Sequence, residues 1–141
     1  MMQGKDIGSL LHKVSVALDR TSDQVLQERL GIGLAQFRVL LFLLENDGVK
    51  QANIAENLSQ TEASISRQVK ILQEKKLVVV RRNVSSRRDR LIFLTQKGAS
   101  VAQRSLIILN EYHAPMFDNI GQKQQEELVK TLQIINEYVK D

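Results

Sequence analysis

The chain has 141 residues, of which 43% are hydrophobic and 26% charged, with one Pro and no Cys. This composition predicts a folded, mainly helical protein of one domain, residues 1–141, and it excludes disulfides, thiolate metal sites and thiol-based redox sensing. The lack of Cys also fits a reducing cytoplasm, and no apolar run reaches transmembrane length, so we expect a cytoplasmic protein with no membrane partner.

Positive charge is concentrated in one segment. Residues 61–100 hold ten Lys or Arg against three acids, a net charge of +7, whereas the remainder holds ten against thirteen, a net charge of −3. The stretch "RRNVSSRRDR" at 81–90 alone has five Arg and one acid, Asp89. Such asymmetry predicts a polyanionic partner more strongly than the overall charge of +4 does.

Two helices are predicted at the start of the chain. Apolar residues repeat at helical spacing over about 7–30, and Gly31 and Gly33 then break the pattern. The next stretch, "LAQFRVLLFLLEN" at 34–46, is apolar nearly all round. A helix of this kind is buried, so we expect it to be the central core element.

A short helix and a longer one follow, separated by a tight turn. The first is "KQANIAENLSQ" at 50–60, and the second is "TEASISRQVKILQEKKL" at 61–77, with Thr61 as its predicted N-cap. Apolar residues recur at i, i+4 and i+7 along the second helix and define its buried side. These are Ile65, Val69 and Leu72, and the opposite, small or basic side holds Ala63, Ser66, Arg67 and Lys70.

Two short strands and two helices complete the chain. "LVVVRR" at 77–82 and "DRLIFLT" at 89–95 flank the polar "NVSSRR", a pattern that predicts a hairpin with a basic tip. Helices are predicted from about 96, with Thr95 as cap, and over 122–141, with Pro115 kinking or interrupting the path between them. The predicted fold class is mainly α with a small β-hairpin wing, a winged helix-turn-helix.

Several motifs carry a family resemblance. "AQFRVL", "IAENL", "SISRQVKILQEKKLV" and a wing that closes on "RR…LT..G" resemble the MarR family of winged-helix regulators. The resemblance implies a winged helix-turn-helix at about 31–98, flanked by N- and C-terminal dimerisation helices at about 1–30 and 99–141. It also implies an obligate homodimer, with the first helix and the last two helices in the subunit interface.

The same resemblance implies how DNA is bound. The helix at 61–75 becomes the recognition helix in the major groove, and an arginine of the wing enters the neighbouring minor groove. The family's Asp-Arg-Arg pattern places Arg87 and Arg88 on its two arginines, with Arg88 in the groove.

Three positions depart from the family pattern. Ser86 replaces the wing aspartate, whose salt bridge is then missing or supplied by Asp89. Lys76 replaces a Gly at the end of the recognition helix, so the usual left-handed cap is strained or replaced. Gly33 replaces a capping Thr or Ser, a milder change because Gly is a tolerable N-cap.

The predicted DNA interface combines one side of the recognition helix with the wing. Arg67 could read guanine or hold a phosphate, and Lys70 is assigned to a phosphate. Each polar residue has the alternative of a plain solvent-facing position, and Thr61 is better explained as a cap than as a base contact. The full set is Gln60, Thr61, Glu62, Ala63, Ser66, Arg67, Lys70, Arg87, Arg88 and Arg90.

Small-molecule and catalytic sites have weaker support. The family implies an effector pocket between the dimer helices and the winged domain, near Leu11, Phe37 and Leu41, although the residues alone indicate simple packing. His12 and His113 lack the neighbours of a metal site. No catalytic triad, carboxylate pair or Gly-rich phosphate loop appears, so we expect no enzyme activity, cofactor or metal.

These features predict a dimeric, sequence-specific transcriptional regulator that binds double-stranded DNA. The family favours a repressor of a pseudo-palindromic operator, released by a small-molecule effector. Two alternatives stay open, a winged helix that binds an acidic protein partner and a non-specific architectural DNA binder.

Overall fold

The structure, a computed structural model, describes the backbone of residues 3–140 and the side chains of residues 6–86 and 89–140. A small antiparallel sheet accompanies six helices in this part of the chain, which confirms the predicted fold class. The elements are α1 (Gln3–Leu30), α2 (Leu34–Glu45), β1 (Val49–Lys50), α3 (Gln51–Asn57), α4 (Glu62–Glu74), β2 (Val78–Asn83), β3 (Ser86–Leu94), α5 (Gln96–Asp118) and α6 (Gln122–Val139). The chain divides into two compact units, Met1–Ile107 and Ile108–Asp141.

The core of the first unit is built around α2, as the apolar pattern of that helix predicts. Val39, Leu40 and Leu43 have no exposed surface, and neither does Leu26 of α1. Burying each of these side chains contributes about 1.5–3 kcal/mol relative to leaving it in water. Both α1 and α4 pack on α2, which therefore sets their positions.

The start of α2 is capped by a side chain from α1. Gly33 is the N-cap residue and has no side-chain acceptor of its own. The Asp23 carboxylate instead accepts a hydrogen bond from the backbone N–H of Leu34 at 2.8 Å, and Gln36 Oε1 accepts one from the N–H of Gly33 at 3.4 Å. A Cβ at position 33 would lie only 3.1 Å from Asp23 Oδ1. Glycine therefore leaves room for the carboxylate that replaces the missing Thr or Ser cap.

A tight turn joins α3 to α4, which confirms the predicted helix-turn-helix. Ser59 has a positive φ of 53°. The N–H of Gln60 donates to the carbonyl of Ala55 at 2.9 Å, a bond that closes the end of α3. Ile54 and Ala55 are buried, so α3 is held to the core by the side predicted from its sequence.

The sheet has three strands rather than the two of the predicted hairpin. The strand order is β1-β3-β2 with antiparallel pairing throughout, and Val49 in β1 pairs with Ile92 in β3. The sequence did not predict β1, because a strand of two residues cannot show an alternating pattern. The predicted short helix included Lys50, the second residue of this strand. The helix instead begins one residue later, because Lys50 is held in extended backbone by its pairing with Leu91.

The hairpin is also tighter than predicted. β2 reaches Asn83 and β3 starts at Ser86, so Val84 and Ser85 alone form the turn. The side-chain oxygen of Asn83 accepts hydrogen bonds from the backbone N–H and the hydroxyl of Ser85, at 3.2 and 2.9 Å. These local bonds stabilise a short turn, so the backbone of residues 87–88 belongs to β3 and not to a polar tip.

α4 ends in a left-handed residue, as expected from Lys76 in the place of a Gly. Lys76 has φ of 62°. Its N–H donates to the carbonyl of Gln73 and the N–H of Leu77 donates to that of Leu72, both at 2.9 Å. The hydroxyl of Thr95 donates to the Lys76 carbonyl at 2.8 Å. These bonds hold Lys76 in a conformation that costs a residue with a Cβ about 1–2 kcal/mol.

Of the two outcomes predicted at Pro115, a kink or an interruption, the long helix α5 contradicts the interruption. It starts at the expected cap, where Thr95 Oγ1 accepts a hydrogen bond from the N–H of Gly98 at 2.9 Å, and it continues past Pro115 to Asp118. Proline removes the donor that would pair with the carbonyl of Glu111, but Glu111 is exposed, so water can reach this carbonyl. Within the second unit, Gln125 Nε2 donates to the carbonyls of Phe117 and Ile120, at 2.9 and 2.8 Å, and closes the turn into α6.

The left-handed end of α4 leads to a stability prediction. Lys76→Gly should raise the free energy of unfolding by about 0.5–1 kcal/mol, because glycine adopts positive φ without the Cβ clash. Lys70→Gly is the matched control and should lower it by about 1 kcal/mol, because Lys70 has ordinary helical backbone inside α4. Urea unfolding measures both values. An equal decrease in the free energy of unfolding of the two variants would contradict the inference that Lys76 is strained.

Candidate nucleic-acid interface

The orientation of α4 is set at its start and along its buried side. Thr61 Oγ1 accepts a hydrogen bond from the N–H of Ser64 at 3.1 Å, which confirms the predicted N-cap. Ile65, Val69 and Leu72 are 2%, 4% and 0% exposed and form the predicted buried stripe. Because these residues fix the rotation of the helix, its opposite side must face solvent.

The solvent side of α4 is free of large apolar groups. We name the basic face of α4 from its four exposed residues Ala63, Ser66, Arg67 and Lys70. The residues at the start of the helix are exposed as well, namely Gln60, Thr61 and Glu62. Small side chains in the first turns allow a partner to approach the backbone closely, and the two cations lie one turn further along.

The basic face of α4 and the wing, residues 78–94, share one cleft. This interface cleft has a volume of about 350 Å³. Ser66 and Lys70 line it from α4 and Arg90 lines it from β3, above apolar side chains of both elements. The structure therefore brings Arg90 of the wing together with Ser66 and Lys70 of α4, three of the predicted interface residues. The complete lining is Gln51, Ser66, Val69, Lys70, Gln73, Val80, Arg90 and Ile92.

A second recess extends the cationic surface along the wing. It has a volume of about 210 Å³ and is lined by Gln73, Val80, Arg81, Arg82 and Arg90. The guanidinium of Arg81 lies 5.6 Å from the centre of the Phe93 ring, a cation–π contact that supports its side chain. Arg82 pairs with Arg90 on the face of the sheet that lines the interface cleft, so these two arginines form one continuous surface with it, whereas the Arg81 guanidinium lies with Phe93 on the opposite face.

Most cations of this surface have no acidic partner. Among the described side chains the ion pairs are Arg38–Asp19 at 2.9 Å, Lys50–Asp89 at 3.2 Å and Lys140–Glu137 at 2.8 Å. Asp89, the acid within the basic stretch, is therefore compensated by Lys50 of β1. None of these pairs involves Arg67, Lys70 or Arg90, so their charge is available to an external anion.

The DNA-binding role of the two arginines matched to the family's wing pattern stays a prediction. The side chains of Arg87 and Arg88 lie outside the described residues, and only their backbone in β3 is described. The described partner of Asp89 is Lys50, which gives this acid a role in attaching β1 to β3.

Sequence reasoning missed several residues of this surface. Gln73 lines both recesses. A helical wheel could have identified it, because it lies seven residues after Ser66 and therefore on the same side of α4. Gln51 lines the interface cleft from α3 and donates to the carbonyl of Glu62 at 3.2 Å. No local pattern links Gln51 to the wing, because only tertiary packing brings them together.

The residues assigned to an effector pocket differ in burial. Phe37 is 5% exposed and Leu41 is half-buried in α2, while Leu11 on α1 is 37% exposed. Within residues 6–86 and 89–140, no group of three or more His, Asp or Glu is placed to hold a metal ion. In the same part of the chain, no helix has both the length and the apolarity needed to cross a membrane.

Comparison with known proteins identifies proteins that are similar to this chain in sequence and in fold. The model of the MarR family matches residues 30–89. An HTH-type transcriptional repressor of Mycobacterium tuberculosis is 26% identical over 90% of this chain and 91% of its own length. The structure of CouR from Rhodococcus jostii RHA1, bound to p-coumaroyl-CoA, is 27% identical with a TM-score of 0.78, covering 94% of this chain and 92% of that one. A mutant of MarR from E. coli, complexed with operator DNA, shares the fold with a TM-score of 0.82 and 23% identity, covering 95% of this chain and 96% of that one.

The cap of α4 can be tested separately from any contact with a partner. Thr61→Ala should lower the free energy of unfolding by about 1 kcal/mol, because the N–H of Ser64 loses its acceptor. Thr61→Ser keeps a hydroxyl and should stay near the wild-type value. Ser66→Ala, an exposed position inside the same helix, serves as control and should change stability little. Urea unfolding at constant pH compares the four proteins, and wild-type stability of Thr61→Ala would mean that the hydroxyl has no capping role.

Proposed function

We propose that this chain, whose residues 30–89 match the MarR family model, is a homodimeric repressor that binds a pseudo-palindromic operator in double-stranded DNA. The observation that carries the proposal is the interface cleft, in which cations from α4 and from the wing face one space. Cations on a solvated loop need not face the cations of another element. A DNA strand that passes between two grooves, by contrast, is bound by cations placed on both sides of its phosphates.

In the proposed complex, α4 enters the major groove and the wing reaches the adjacent minor groove. Lys70 and Arg90, one on each wall of the interface cleft, contact phosphates of the strand between the grooves. Arg67 projects from the exposed side of α4 and reads a base edge, for which the fork of a guanidinium suits guanine. Arg88 enters the minor groove, where a narrow A·T-rich segment attracts cations.

Exposed apolar side chains support the proposed dimer. In the first unit, Ile7, Leu10 and Val14 of α1 are 50–59% exposed, on a helix whose other end is anchored in the core by Leu26. The second unit also exposes large apolar groups, including Leu128 and Leu132 of α6, and α6 has no buried residue. Covering such surfaces is a common reason for obligate association. A two-fold dimer would place two recognition helices about 34 Å apart, one turn of DNA.

Regulation by a small molecule is part of the proposal. CouR, with p-coumaroyl-CoA bound, supports an effector for a chain of this fold and similar sequence. Leu11, Phe37 and Leu41 are the candidate pocket residues, and a ligand would act by favouring dimers whose recognition helices do not match the operator spacing. The repressor of M. tuberculosis supports repression as the sign of regulation. We place this activity in the cytoplasm and assign it no catalysis, metal or cofactor.

Selecting preferred duplexes from a random pool tests the proposed function. The protein should enrich near-palindromes, and its affinity for them should fall about 10³–10⁵-fold between 50 and 200 mM salt if 6–10 phosphates are contacted. A random duplex of equal length is the control and should bind much more weakly. Equal affinity for both would leave a non-specific architectural binder. No affinity for any duplex would favour a protein-interaction module with an acidic partner.

Two arginine variants separate base reading from groove binding. Arg88→Ala should weaken binding to all duplexes by about tenfold, most strongly where the flank is A·T-rich. Arg67→Ala should instead relax the preference at one base pair of each half-site. Its binding free energy should weaken by about 1–3 kcal/mol for the selected sequence and should change little for other sequences. Arg104→Ala removes the same charge from the exposed side of α5 and serves as control. Fluorescence anisotropy gives the affinities, and operator binding by Arg88→Ala equal to that of the control would refute the wing assignment.

A further inference from the structure

The end of α4 is attached by one side chain to another part of the first unit. Lys75, the C-cap residue of α4, donates from its ammonium to the carbonyl of Gly31 at 2.6 Å and to Gln36 Oε1 at 3.1 Å. Gly31 follows the last residue of α1 and Gln36 lies in the first turn of α2. Lys97 Nζ, at the start of α5, donates to the carbonyl of Lys75 at 3.4 Å. Lys75 therefore connects α4 to the junctions of three other helices.

The acceptors of Lys75 belong to the network that caps α2. Gln36 Oε1 also accepts a hydrogen bond from the N–H of Gly33. Asp23 accepts bonds from the N–H of Leu34 and from Gln27 Nε2, both at 2.8 Å. The ammonium thus joins a set of groups whose positions are already held from α1 and α2, and a hydrogen bond to a charged donor is about twice as strong as a neutral one.

Lys75 uses its charge within the protein. It is half-buried, and its acceptors are a carbonyl and an amide oxygen. Among the described side chains it takes part in none of the three ion pairs. A lysine that contacts phosphates, by contrast, would keep its ammonium exposed to solvent.

We propose that Lys75 is a positioning residue that fixes the angle between the recognition helix α4 and α1. Apolar packing of α4 on α2 is strong but non-directional, whereas two hydrogen bonds to one ammonium allow little variation in direction. The inference rests on the proposed function, because in a dimer held by α1 this angle determines the distance between the two recognition helices. Lys75 would then set which half-site spacing the protein accepts without touching DNA.

A distance measurement within one subunit tests the positioning role without DNA. The chain has no Cys, so Ala63→Cys on α4 and Arg20→Cys on α1, both exposed positions, take one spin label each. Doubly labelled protein is diluted with an excess of unlabelled protein, so that each dimer carries one labelled subunit. Lys75→Met, which keeps the length of the side chain and removes its donors, should widen the distance distribution about twofold. Lys76→Met, a loss of the same charge at the next residue, and Lys75→Arg, which restores a charged donor, should keep the wild-type width.

Binding to selected duplexes with altered spacing tests the consequence for recognition. Single base pairs are inserted or removed between the half-sites, and the affinity is measured for each spacing. Wild type and Lys76→Met should show a sharp affinity optimum at one spacing. Lys75→Met should show a flattened profile, with about tenfold weaker binding at its best spacing. Equal label distributions in Lys75→Met and Lys76→Met overturn the positioning role. A wider distribution with an unchanged spacing profile overturns the link to half-site spacing. If wild type prefers no duplex, the proposed function fails, while the label distances still decide whether Lys75 positions α4.

Discussion

Burial of Ile65, Val69 and Leu72 against the core determines which side of α4 can meet a partner. These three side chains have at most 4% of their surface exposed, and each contributes about 1.5–3 kcal/mol through burial. Rotating the helix by one position would bring apolar groups into water and Arg67 toward the core, so alternative orientations are strongly disfavoured. The small and basic side of the helix is therefore presented as a consequence of packing, and the wing is built against the same helix.

The charge of the wing is shaped by one compensating ion pair. Lys50 in β1 neutralises Asp89, so the acid within the arginine-rich stretch does not lower the attraction of Arg90 for an anion as much as its position suggests. The pair is partly exposed, and its contribution to stability is accordingly small. Its importance lies in the charge that it leaves on the wing, because Asp89 is engaged by Lys50 while Arg90 lines the interface cleft without an acidic partner among the described side chains.

Much of this arrangement could be predicted from sequence because it depends on local periodicity. The buried stripe of α4, its Thr61 cap and the all-round burial of α2 follow from spacing and side-chain type alone. Pairing between distant segments could not be read in the same way. β1 is too short to have a period. The Asp23 cap joins residues 11 positions apart, and the two Lys75 bonds join residues 44 and 39 positions apart. The predicted interruption at Pro115 was wrong for a different reason, because an exposed helix tolerates a missing donor that a buried one does not.

The cap that Asp23 supplies to α2 makes the two helices dependent on each other during folding. An isolated α2 would start with an unpaired amide at Leu34, because Gly33 has no side-chain oxygen to accept its hydrogen bond and Gln36 of α2 caps only the N–H of Gly33. Only when α1 is formed does its carboxylate reach the first turn of α2. Opening of the C-terminal half of α1 therefore removes this cap and destabilises the first turn of α2 by about 1 kcal/mol.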